Sequence, residues 1–97
     1  VILEKIESGP FVWYQFWCPG CERLHPLYTQ NPKGPEWKFN GDMEKPTFSP
    51  SLLCSGSEPS RRCHLFVRNG QIEFCGDCHH SLAGKIVPME DIEEEKT

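Results

Sequence analysis

Short runs of apolar, aromatic and β-branched residues, separated by Gly- and Pro-rich breaks, set the pattern of this chain. Val1 to Ile6 mixes aliphatic and charged residues and reads as an edge strand. Ser8-Gly9-Pro10 is a break, and Phe11 to Trp17 (Phe-Val-Trp-Tyr-Gln-Phe-Trp) then reads as a strand rich in residues that suit a pleated surface. Three prolines and a glycine between Pro26 and Pro35 predict no regular element there. Trp37 to Asn40 alternates as a short strand, and Gly41-Asp42 opens a turn. Thr47 to Cys54 is a further candidate strand, with Pro50 marking a bulge or an edge. Ser55 to Arg62 reads as a polar loop. The pattern predicts a mainly β protein, a small antiparallel domain with long loops.

The sharpest local signal is a hairpin. Cys63 to Arg68 and Gln71 to Cys75 flank Asn69-Gly70, the preferred pair for a two-residue type I′ turn. Such a turn sets Arg68 opposite Gln71, Val67 opposite Ile72, Phe66 opposite Glu73, Leu65 opposite Phe74 and His64 opposite Cys75. Side chains alternate across a sheet, so Cys63, Leu65, Val67, Ile72 and Phe74 share one face, and continued parity adds Cys78. His64, Phe66, Glu73 and Cys75 share the other, with Asp77 on the same parity.

The chain is short for its core. It has 97 residues, of which 37% are hydrophobic, and such a length allows one domain, expected over residues 1–90 with an acidic tail over 91–97. The net charge of −4 makes it a poor generic binder of phosphate, which argues against nucleic acid as a partner. The apolar run from Phe11 to Trp17 is too short to cross a bilayer, so no membrane role is expected. A soluble, cytoplasmic protein with reduced cysteines is the expectation; nothing in the chain signals an oligomeric state.

Six cysteines change that picture. Cys18-Pro-Gly-Cys21 and Cys75-Gly-Asp-Cys78 frame the chain, with Cys63-His64 between them. Thiolates spaced two residues apart at a tight turn can face one ion, and two such contributions distant in sequence make a tetrahedral zinc site. Disulfides would require a secreted protein, and a redox dithiol would require a βαβ setting that the chain lacks. The expected ligands of a structural Zn2+ are therefore Cys18, Cys21, Cys63 and Cys78, with His25 and His80 as alternative fourth ligands. A metal would supply the stability that the small core does not.

The hairpin parity also brings His64 and Asp77 to one face as diagonal neighbours. A carboxylate beside an imidazole fixes its tautomer, as a general base requires, but the same pair can be a plain surface contact. The segment Pro46-Thr-Phe-Ser-Pro-Ser-Leu-Leu53 carries two serines around a proline. Pro50 has no N–H to offer an oxyanion formed at Ser49, whereas Ser51 keeps its own amide and that of Leu52. Ser51 is thus the preferred nucleophile over Ser49 if the segment is catalytic; otherwise it is an edge turn with structural hydroxyls.

In order along the chain stand Phe16-Trp-Cys-Pro-Gly-Cys21 with His25, Phe39-Asn-Gly-Asp42, Lys45-Pro-Thr-Phe-Ser-Pro-Ser-Leu52, Cys63-His-Leu-Phe-Val-Arg-Asn-Gly70 and Asp77-Cys-His-His-Ser-Leu-Ala-Gly84. Together they resemble a family of small phage and bacterial proteins, catalogued as a domain of unknown function and sometimes mislabelled ammonia monooxygenase. That family is related to the zinc-containing serine peptidase of bacterial ubiquitination-like (Bub) operons, and the resemblance spans roughly Tyr14 to Met89. It implies a peptidase acting on a ubiquitin-like protein or its conjugates. Its nucleophile would lie in Phe48-Ser-Pro-Ser51, its histidine would come from Cys63-His64 or be His80, and Asp77 would be the acid. Cys75 departs from the family pattern, where an aliphatic residue is usual, and is left out of the zinc site. A non-catalytic, zinc-stabilised protein-binding module is the alternative.

Overall fold

The computed structural model describes residues 1–55 and 58–92, which fold into three antiparallel sheets. The first has the order β1 (Glu4–Ser8), β2 (Phe11–Cys18), β3 (Arg23–Gln30). Strand β3 occupies part of the stretch expected to be irregular. Pro26 lies opposite Gln15 on this edge strand, where a missing N–H can face away from the sheet without breaking a ladder bond. The proline count was therefore a misleading signal for residues 26–30, and a fair one only beyond Gln30.

The expected strand from Thr47 to Cys54 is divided between two sheets. β5 (Phe48–Ser49) pairs with β4 (Lys38–Phe39), whereas β6 (Leu52–Cys54) joins a third sheet of order β6, β7 (Cys63–Arg68), β8 (Gln71–Phe74), β9 (Ile86–Pro88). The chain changes sheets at Pro50-Ser51, where the proline has no N–H to commit to either ladder. Asn40 and Asp42 pin the β4–β5 connection. Asn40 Oδ1 accepts from the Asp42 and Thr47 amides, and Asp42 Oδ1 accepts from those of Glu44 and Lys45. These amides hold the Asp42 carboxyl below the usual carboxylate range.

The central hairpin has the register that the Asn69-Gly70 turn dictates, with Leu65 opposite Phe74, Val67 opposite Ile72 and Arg68 opposite Gln71. Beyond the strand end, the Cys75 N–H donates to the His64 carbonyl at 2.8 Å. Cys63, Leu65, Val67, Ile72 and Phe74 are each no more than 4% exposed and join Phe16, Leu27 and Phe48 in the core. Phe39 stacks on Phe48 with ring centroids 4.5 Å apart, which closes the core beneath β4 and β5.

The turn itself carries a prediction. Asn69 and Gly70 have φ of 52° and 77°, the left-handed pair of a type I′ turn. A Cβ on Gly70 would also stand 3.3 Å from the Glu44 carbonyl oxygen and 3.4 Å from Lys45 Cα, both backbone atoms. Gly70→Val should cost roughly 1–3 kcal/mol, read as a lower denaturation midpoint at unchanged slope.

At the other end, Asp91 Oδ1 lies 3.1 Å from the Val1 amine and the Ile92 N–H donates to the Val1 carbonyl. Residues 93–97 of the expected acidic tail lie outside the described residues. Among the described residues, no helix is long and apolar enough to cross a membrane.

Candidate active site and metal centre

Strand β7 sets two chemistries back to back. Successive side chains of a strand point to opposite faces, so Cys63 enters the core while His64 emerges on the other side. Leu53 is the register partner of His64, and Ser51, two residues earlier, falls on the same parity as Leu53. The Ser51 hydroxyl is thereby brought to 3.0 Å from His64 Nε2. The Trp37 indole N–H donates to the Ser51 carbonyl at 3.2 Å and fixes the corner from which the hydroxyl projects. Ser49, on the far side of Pro50, is exposed on β5 opposite Lys38.

Asp77 approaches the other imidazole nitrogen, with Oδ1 at 3.4 Å from His64 Nδ1. A proton on Nδ1 facing this carboxylate leaves the Nε2 lone pair directed at the serine hydroxyl. The neighbouring Cys78 holds the backbone of the same histidine: its sulfur accepts from the His64 N–H at 3.3 Å and its S–H donates to the His64 carbonyl at 3.1 Å. Residues 77 and 78 thus secure His64 by side chain and backbone together. Cys75 stands close by, its sulfur within 4.8 Å of ligating atoms of His64 and Asp77. Burial pushes its thiol up, aided by the Asp77 charge, which makes it a weak nucleophile.

On the core side of β7, candidate metal ligands among the described residues fall into three overlapping groups. Cys18, Cys21, His25 and Cys63 form one, Cys63, Cys78 and His80 a second, and Cys21, His79 and His80 a third. Three of the four cysteines expected from the sequence, Cys18, Cys21 and Cys63, thus share a group with His25, the alternative ligand, while Cys78 stands beside Cys63 in another. His25 lies beside Cys18 because the two are diagonal neighbours on β2 and β3, both directed into the core. The Cys18 and Cys63 sulfurs lie 3.9 Å apart, close to the ~3.8 Å that two thiolates span on a tetrahedral ion with 2.3 Å bonds. His25 is 2% exposed, its Nδ1 is 3.6 Å from the Cys54 sulfur, and its Nε2 has no hydrogen-bond partner among the described residues. An orphaned buried nitrogen beside three thiols is what a metal ligand looks like without its ion.

A hydrogen bond from Cys63 holds the Cys18 thiol down to about 3 despite burial, and the same contact pushes Cys63 up. Burial by itself would lower His25, but the Cys18 and Cys54 sulfurs raise it to about 10. The Cys18 thiolate and the His25 imidazolium thus stabilise each other in the core. All six cysteines are free thiols.

His80 and Cys78 also make contacts outside these groups. His80 Nδ1 accepts from the Leu82 amide at 3.2 Å, so the proton of the neutral ring sits on Nε2, 3.4 Å from the Cys63 sulfur. Burial lowers this histidine and keeps it neutral. In that state its N–H faces the Cys63 sulfur, as a group that supports a metal ligand does. Its ring packs so closely on Gly20 that a Cβ there would fall inside it, which explains the glycine of the Cys-Pro-Gly-Cys turn. Neither the His80–Cys63 contact nor the grip of Cys78 on His64 had a sequence signal, since both depend on the path of the loop from Cys75 to Lys85.

Comparison with known proteins is consistent with this geometry. No curated protein and no solved structure matches the chain. A family model described as the bacterial ubiquitination-like system serine protease, BubE, matches residues 1–75, a span that holds Ser51, His64, Cys18, Cys21, His25 and Cys63 and stops short of Asp77. Since that match covers well over half of its length, the chain belongs to the BubE family, the serine proteases of bacterial ubiquitination-like systems.

Proposed function

We propose that the chain is a cytoplasmic serine peptidase that cuts a ubiquitin-like protein or its conjugates, using Ser51 as nucleophile, His64 as general base and Asp77 to orient His64. The observation that carries this reading is the line from the Ser51 hydroxyl to His64 Nε2 at 3.0 Å and from His64 Nδ1 to Asp77 at 3.4 Å. In the acylation step, Ser51 Oγ attacks the scissile carbonyl carbon and its proton passes to Nε2. Asp77 stabilises the resulting imidazolium, which then protonates the leaving amine as the C–N bond breaks. Water repeats the sequence to release the acyl group. Along the chain, the closest oxyanion donors are the amides of Ser51 and Leu52, since Pro50 has none. The second contact is longer than a good hydrogen bond, as is common before a substrate tightens the site.

Cys18, Cys21, His25 and Cys63 are proposed to hold a structural Zn2+. Four protein ligands close the tetrahedron and leave no open position for substrate or water. The ion would fix the start of β7, and with it the backbone that carries His64.

The β6 strand supports the substrate class. It is an edge strand of its sheet among the described residues and follows Ser51 directly, with Leu53 52% exposed. An extended tail that adds to this edge would pass its backbone over the serine, as suits the flexible end of a ubiquitin-like protein. The test is incubation with a ubiquitin-like protein carrying a C-terminal extension. Wild type should release the extension and Ser51→Ala should bind without cutting. Binding without cleavage by wild type would favour a non-catalytic recognition module.

A further inference from the structure

Cys75 has no part in the proposed hydrolysis, yet its sulfur, one His64 nitrogen and one Asp77 oxygen all lie within 4.8 Å of one another. Thiol, imidazole and carboxylate are the three ligand types that zinc accepts. The 3.4 Å from His64 Nδ1 to Asp77 Oδ1 is long for a charge-assisted hydrogen bond. It matches the ~3.4 Å between nitrogen and oxygen ligands on a tetrahedral ion with bonds of 2.0–2.1 Å. Asp77 and His64 are partly open to solvent, with side chains 44% and 28% exposed, so an ion can reach them. This cluster lies on the opposite face of β7 from the Cys18, Cys21, His25 and Cys63 group.

We propose that His64, Cys75 and Asp77 form a second, reversible site for a thiophilic divalent cation such as Zn2+, and that occupancy of this site switches off the Ser51–His64 pair. A neutral imidazole binds a cation through the lone pair of Nδ1, which confines its one proton to Nε2. That proton then points at the Ser51 hydroxyl, so His64 can donate to the serine but cannot take its proton. The ion also occupies the carboxylate that would stabilise the imidazolium. Three protein ligands and a water give weaker binding than the closed four-ligand centre, so this site fills and empties while the structural metal stays.

The inhibitory effect rests on the peptidase reading, while the site itself does not, and the experiment separates the two. The full chain, carrying its structural metal, is dialysed against increasing free Zn2+, and bound metal per chain is counted. Fluorophosphonate labelling is followed in the same samples. Wild type should take up a second equivalent and lose labelling in step, with recovery on adding a weak chelator. Cys75→Ala should label like wild type without added Zn2+ and bind the second ion more weakly by upwards of about tenfold, since even outer-shell losses cost that much. Cys75→Ser, closer in size, checks that the effect is not a packing defect. A second equivalent bound equally well by both variants, or none bound by wild type, overturns the site. Uptake that depends on Cys75 but leaves labelling intact overturns the switch and keeps the site. Absence of labelling in wild type before any Zn2+ is added counts against the peptidase reading, and the dialysis then decides the site alone.

Discussion

Replacing Ser51 with alanine should abolish turnover while leaving metal content and the unfolding temperature nearly unchanged. The hydroxyl contacts His64 at the surface of β7, away from the thiol cluster on its core face, so its loss removes chemistry and little else. A serine hydroxyl is a poor nucleophile without a neutral imidazole in reach, so His64→Ala should be almost as damaging. Asp77→Asn should keep the fold and lose about 10⁴-fold in kcat, as in triads where the amide stabilises the wrong imidazole tautomer. Rates of cleavage measured beside calorimetric melts check the series. A Ser51→Ala protein that still cuts would refute the assignment of the nucleophile.

Cys18→Ser should have the largest effect on folding. Structural zinc sites contribute about 10–16 kcal/mol of apparent binding energy, while small domains retain only about 5–15 kcal/mol of net stability. Metal loss of that size removes the whole margin of a chain with so few buried aliphatic residues. The variant should be unfolded or aggregated as purified, and strong chelators should unfold wild type. Cys78→Ser should instead retain its metal but lose activity, because the Cys78 sulfur holds the His64 backbone. Metal analysis with far-UV circular dichroism distinguishes the two outcomes. A folded, metal-free Cys18→Ser protein would contradict the assignment of the centre.

Much of this was legible in the sequence where one local rule governed the outcome. Asn69-Gly70 admits essentially one tight turn, and from it follow the register of β7 and β8, the buried face, and the opposed placement of Cys63 and His64. Parity along one hairpin also put Asp77 beside His64. The reading failed where long-range packing overrode local signals. Prolines argued against β3, but an edge strand tolerates them. The segment around Pro50 looked like one strand, and no local rule says that its halves serve different sheets. Continued parity put Cys78 beside Cys63, as found, but no local rule told that the loop from Cys75 to Lys85 also turns its sulfur onto the backbone of His64. His25 could be listed as a ligand from spacing, but only the pairing of β2 with β3 places it beside Cys18.

The most direct test of the account is site mapping of a fluorophosphonate adduct on the folded, metal-loaded protein. The geometry predicts a single adduct on Ser51, absent after denaturation and absent in His64→Ala. An adduct on Ser49, or substrate cleavage by a protein that takes up no probe at any serine, would contradict it.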